Sequence, residues 1–124
     1  MALAAVEAAI EKKGVQPALL DLRRENAYTD YILVVSGRSD RHVQSVADAV
    51  ERALADVGRR PLGREGNRDG QWALIDFGEL VVHVFYHPLR EFYDLEGLWS
   101  AAPRVPIDVP ADSQLQYSDA YGSM

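Results

Sequence analysis

Apolar residues recur along the chain with two periods, and the changes between them mark out the elements. In "LAAVEAAIEKKG", Leu3, Val6 and Ile10 fall at i, i+3 and i+7, and Lys12, Lys13 and Gly14 close the run as they do at helix C-termini. A short first helix is expected there. "PALLDL" after Pro17 and "YILVVSG" before Gly37 are apolar runs bounded by turn residues, so each reads as a strand, with "RRENAYTD" between them. Ser39 can cap the segment that follows, and Asp40 suits its positive end. Val43, Val46, Ala47, Val50, Leu54 and Val57 make one helical stripe that stops at Gly58, with Arg59 and Arg60 where the helix dipole favours positive charge. The loop "GRRPLGREGNRDG", Gly58 to Gly70, is expected to be irregular and mobile.

Beyond it the period falls to two. Gln71 to Phe77 and Leu80 to Tyr86 read as a hairpin around Gly78 and Glu79. Alternation puts Ala73, Ile75, Phe77, Leu80, Val82 and Val84 on one apolar face and Trp72, Leu74, Asp76, Val81, His83 and Phe85 on the other. "PLREFYDLEGLW" then interleaves large apolar residues with charges. Leu89, Phe92, Leu95 and Leu98 are expected to pack inward, leaving Tyr93, Glu96 and Trp99 among the candidates for an exposed site. The remainder, residues 101 to 124, is polar and proline-containing and reads as an extended or disordered tail behind a domain of residues 1 to 100.

Composition changes the picture in two places. With 124 residues, 48% hydrophobic and 26% charged, the chain fits one soluble domain; no run approaches a membrane span, and a cytoplasmic location is expected. The absence of Cys and the presence of only three scattered His argue against a metal centre, and no cofactor is expected. The net charge of −6 is uneven: residues 71 to 124 carry 2 basic and 8 acidic side chains, while residues 58 to 70 carry 4 and 2. So acidic a chain is a poor match for nucleic acid, and DNA is not expected; a basic protein partner suits it better.

Asp76 and His83, one residue out of register on the same face, can be read as a carboxylate and imidazole pair for general base chemistry. No Ser or Cys stands in a nucleophile motif, and a His satisfied by a neighbouring acid is the plainer reading. "SGRSD", Ser36 to Asp40, lacks the glycines and Lys of a phosphate loop and reads as a turn and cap.

Three segments, "TDYILVVSGRSDRHVQSVADAV", "PLGREG" and "WALIDFGELVVHVFYHPLREFYDLEGLW", closely resemble the ribosomal silencing factor family, also known as Iojap-related proteins. Thr29, Asp30, Gly37, Arg41, His42, Trp72, Asp76, His83, Arg90, Tyr93, Leu95, Glu96 and Trp99 match its pattern. The resemblance implies an α/β domain with a small mixed sheet flanked by helices, related to nucleotidyltransferases without their catalytic carboxylates. It also implies a translation repressor, not an enzyme. Such a protein binds the fourteenth protein of the large ribosomal subunit and blocks joining of the small subunit. Trp72, Asp76, His83, Arg90, Tyr93, Leu95, Glu96 and Trp99 are then the expected protein contacts, with Trp72 and Tyr93 as anchors. Arg59, Arg60, Arg64 and Arg68 are candidate contacts to peripheral ribosomal RNA. Strand Leu80 to Tyr86 is expected at or near a sheet edge, where with Phe92, Leu98 and Trp99 it would support a homodimer of the free protein. The alternative is a nucleotide-handling or hydrolytic enzyme using Asp30, Asp76 or His83.

Overall fold

A computed structural model of the chain describes residues 1–25 and 27–114. The elements run α1 (Ala2–Glu11), β1 (Val15–Asp21), β2 (Tyr31–Gly37), α2 (Asp40–Asp56), β3 (Gly63–Gly66), β4 (Trp72–Asp76), β5 (Leu80–Tyr86), α3 (His87–Tyr93), α4 (Leu95–Leu98) and β6 (Arg104–Val105), followed by a 3-10 turn at Ala111–Ser113. Six strands form one sheet in the order β3-β4-β5-β2-β1-β6. The pair β2 and β5 is parallel and the other pairs are antiparallel, so this is the mixed α/β sheet that was expected. That parallel pair needs a long crossover, and α2 supplies most of it.

Helix α2 begins where Ser39 Oγ accepts the His42 N–H at 3.0 Å, with Asp40 in the first turn. It ends in a Schellman arrangement: Gly58 sits at φ 81°, its N–H reaches the Ala55 carbonyl, and the Arg59 N–H reaches the Leu54 carbonyl at 2.8 Å. Val43, Val46, Ala47, Val50 and Leu54 are buried, whereas Val57, the last residue of the expected stripe, is exposed. Together with α1 they cover one sheet face, built from Leu19, Leu33, Val35, Ala73, Ile75, Phe77, Leu80, Val82 and Val84. Each such side chain contributes roughly 1.5 to 3 kcal/mol on burial, so a charge at Val50 would be enough to break the layer. The hairpin forms in the expected register, with Ala73 opposite Val84, Ile75 opposite Val82, and Gly78 at φ 90° in the turn.

Leu20, Leu22, Ile32, Val34, Val81 and Phe85 form the opposite face, and Leu89, Leu95, Trp99 and Ala102 cover part of it. Burial along β5 is continuous as far as Phe85, but along β4 it alternates, with Trp72, Leu74 and Asp76 half-buried. The cover therefore stops short of β4, and the site lies there.

Three expectations are corrected. Strand β5 is not at an edge; it lies between β4 and β2, because the α2 crossover returns the chain beside the antiparallel pair β1 and β2. The loop expected to be irregular contains β3, whose four residues are all exposed and which is defined by its pairing to β4. Hydrophobic pattern cannot reveal a strand that buries nothing. The described part of the expected tail is extended but attached: Arg104 and Val105 pair with Leu20 and Leu19, the Asp21 N–H reaches the Pro103 carbonyl at 2.9 Å, and Ala102 and Ser113 are buried. Residues 115–124 of that tail lie outside the described residues.

Candidate functional site: an aromatic hollow on the open sheet face

Trp72 on β4 and His83 and Phe85 on β5 point to the open face, and α3 brings Tyr93 over them. Ring centroids step from Trp72 to His83 at 6.4 Å, to Phe85 at 5.8 Å and to Tyr93 at 5.9 Å, all stacked; Phe92 meets Tyr93 edge-on at 5.4 Å. These rings, with Asn67 and Leu95, line a mainly apolar hollow of about 410 Å³. Of the eight expected protein contacts, Trp72, His83, Tyr93 and Leu95 meet here.

Local structure explains the placing. Asn67 Oδ1 accepts the N–H groups of Gln71 at 2.8 Å and Trp72 at 3.2 Å, which sets the entry into β4. Asn67 and Phe85 were not among the expected contacts; "GNRDG" signals a turn but not which strand residue the turn will hold. Pro88 sits in the first turn of α3, and Asp94 at φ 47° breaks the chain into α4, where its carboxylate accepts the Gly97 N–H at 3.1 Å. That kink sends Leu95 into the sheet while Tyr93 stays at the rim, 61% exposed.

The polar groups near the hollow have structural tasks. Trp72 Nε1–H donates to His83 Nδ1 at 3.4 Å, and burial pushes the imidazole pKa down to about 4, so the ring is neutral at pH 7. Asp76 does not pair with His83: the register sets Leu74 opposite His83 and Asp76 opposite Val81, and Asp76 Oδ1 instead accepts the Gly78 N–H at 2.8 Å in the turn. Arg90, expected as a contact, is buried. It donates to Glu96 Oε1 at 2.8 Å, to Ser36 Oγ at 3.0 Å and to the Val15 carbonyl at 3.3 Å. Glu96 also accepts from Arg104 at 2.8 Å; burial pushes its carboxyl up, but the two guanidiniums outweigh that and hold it below its ordinary range. Trp99 is half-buried against the same layer. Phe92 and Leu98, expected inside, are 80% and 71% exposed.

Other matched residues hold the frame. The Thr29 hydroxyl donates to the Gly78 carbonyl at 2.9 Å, and the Asp30 N–H reaches the Glu79 carbonyl, which ties the start of β2 to the hairpin turn. Asp30 is thus remote from His83 in the sheet. His42 Nδ1 accepts the Arg38 N–H at 2.9 Å while Nε2 donates to the Lys12 carbonyl at 2.8 Å, clasping α1 to the turn before α2. A Cβ on Gly37 would lie 2.8 Å from the Val43 amide nitrogen, so only glycine fits that turn. "SGRSD" is a turn and cap, as read. Among the four loop arginines, Arg59 is held by Glu79 at 2.7 Å, and Arg64 by Asp48 at 2.8 Å and Glu51 at 3.2 Å. Arg60 and Arg68 are exposed and have no acidic partner among the described residues.

Comparison with known proteins places this geometry. Residues 1–122 match the family described as ribosomal silencing factor during starvation. The chain is 35% identical over 104 residues to a ribosomal silencing factor of Halalkalibacterium halodurans, covering 84% of this chain and 89% of that protein. It is 34% identical over 104 residues to the one of Bacillus subtilis, covering 84% and 88%. A crystal structure of a Chromobacterium violaceum protein superposes with a TM-score of 0.77 at 33% identity, covering 89% of this chain and 91% of that one. Sequence match and fold agree: the chain belongs to the ribosomal silencing factor family.

Proposed function

We propose that the chain represses translation by binding the large ribosomal subunit through its fourteenth protein, on the face where the small subunit docks, so that the two subunits cannot join. The observation that carries this reading is the aromatic hollow. It is apolar, half-open and lined by rigid rings, as an interface core is, and its His is neutral and bonded to an indole. The acidic balance of residues 71 to 124 supports a basic protein as the occupant. Within that interface Trp72 and Tyr93 act as anchors, Leu95 packs below them, and Arg90 and Glu96 hold α4 in place from inside. Arg60 and Arg68 are the better placed of the four arginines for peripheral RNA. The protein works in the cytoplasm, needs no cofactor, and is a homodimer when free.

The rival reading, a nucleotide-handling or hydrolytic enzyme, uses Asp30, Asp76 or His83; Asp76 Oδ1 accepts the Gly78 N–H, His83 Nδ1 accepts the Trp72 indole N–H, and the Asp30 backbone is tied to the hairpin turn away from His83. Sedimentation of purified subunits with saturating protein tests the proposal. Loss of joined ribosomes with the protein co-migrating on the large subunit is the expected result, and normal joining would refute it.

A further inference from the structure

A second recess lies on the same open face, toward the hairpin turn. Tyr28, Leu62, Gly63, Glu65, Leu74, Asp76 and Val81 line about 270 Å³ there. Trp72 and Asp76 stand at the two ends of β4, so the hollow and this recess are separated by roughly 13 Å, four residues of extended chain. Glu65 faces Leu74 across the β3 and β4 pair and belongs to the same side of the sheet.

Its chemistry differs from that of the hollow. Leu62, Leu74, Val81 and the Tyr28 ring form an apolar channel, and Tyr28 and Leu62 are 67% and 77% exposed. Two carboxylates rim it. Asp76 uses one oxygen on the Gly78 N–H, and neither Asp76 nor Glu65 has a basic partner among the described residues. That contrasts with Asp21, Asp48, Glu51, Glu79 and Glu96, each of which is paired with an arginine of the chain. Burial and the Asp76 charge also raise the Tyr28 pKa, which keeps the phenol neutral beside that carboxylate. An apolar channel ending in unpaired carboxylates beside an aromatic face matches a long aliphatic stem with a cationic head. The same carboxylates would repel RNA phosphate, which argues for protein at this end of the face.

We propose that this recess receives one lysine or arginine side chain of the protein partner, set about 13 Å from the apolar side chain that fills the aromatic hollow. The proposal rests on the docking of a protein at the hollow and adds the second anchor and its charge. The hollow supplies buried apolar area; the recess supplies the sign of the partner and its orientation along β4.

The test compares binding of purified large ribosomal subunits at low and moderate salt by the unmodified chain, by Trp72→Ala, and by a double variant Glu65→Gln with Asp76→Asn. Asparagine keeps the acceptor for Gly78, and Glu65 is exposed on an edge strand, so the fold should survive; Glu65→Gln alone serves if the double variant melts early. The double variant should bind on the order of tenfold more weakly at low salt, with a flatter salt dependence. Unchanged or tighter binding by that variant overturns the proposal, tighter binding indicating that the acids face RNA. If Trp72→Ala binds like the unmodified chain, docking at the hollow has failed. The double variant then decides the recess alone: a salt-sensitive loss sustains it, and no change refutes it.

Discussion

Trp72 and Tyr93 present their rings on a surface and still take part in a stack, which separates binding from folding more cleanly than at Phe85, buried on the sheet. Trp72→Ala and Tyr93→Ala are each expected to weaken binding to large subunits by about 1 to 3 kcal/mol, with circular dichroism unchanged. Unfolding of both would mark them as core. His83 makes a different prediction. Burial lowers its folded pKa to about 4 from an ordinary 6.5, so the unfolded chain takes up the proton first as the pH falls. Its contribution is present above pH 6.5 and is lost progressively down to about pH 4. Between pH 7 and 5 the loss should be about 2 kcal/mol by linkage, and urea midpoints measure it. His87, whose pKa is also lowered, chiefly by burial, adds loss of the same sign. His83→Phe, which keeps a stacking ring, should flatten much of the dependence; an unchanged slope would show that burial of His83 is not its source.

Helices α3 and α4 are too short to be stable alone, and what fixes them is a buried polar knot. Arg90 joins α3 to α4 through Glu96, to β2 through Ser36 and to β1 through the Val15 carbonyl. His87 Nδ1 shares the Ser36 hydroxyl at 2.8 Å. Removing Arg90 strands several buried partners at once, so Arg90→Met is expected to cost on the order of 3 kcal/mol. Arg104 binds the same Glu96 from solvent, and Arg104→Ala should cost less than about 1 kcal/mol. Equal losses for the two would mean that the knot is not what orders this corner. The sequence makes Arg90 and Glu96 expected contacts of the partner; that they instead meet each other follows from the αL conformation of Asp94 between them, which few sequence signals announce.

The whole chain carries −6, and the Gly58 to Gly70 loop is its locally basic stretch, which narrows where an RNA contact is sought. Arg59 and Arg64 serve Glu79 and the acids of α2, so Arg60 and Arg68 are the two of the four loop arginines left to contribute to a salt slope. Replacing those two with Ser should flatten the salt dependence of subunit binding while thermal stability stays put; an unaltered slope would leave the loop as a solvated connection. Free protein is expected to dimerise through the exposed Phe92, Tyr93 and Leu98, in competition with the ribosome. Light scattering should give a dimer mass at high micromolar concentration that Phe92→Ser with Leu98→Ser reduces to the monomer. A monomer at every concentration would end that idea.

Local rules were enough for α1, α2, the hairpin and its two faces, because amphipathic period, capping and turn glycines act between residues close in the chain. The α2 stripe and the Ala73 to Val84 face were both legible for this reason, and so was the aromatic character of the other face. Strand order, the pairing of β3 and β6 and the inward turn of Arg90 were not. Each depends on segments distant in sequence meeting across the sheet: backbone hydrogen bonding at an edge needs no hydrophobic pattern, and the direction of a charged side chain follows whichever buried partner it reaches. Composition named the groups that a partner would meet. Only the packing of α3 and α4, which covers β5 and leaves the β4 face bare, determined which of those groups were left for one.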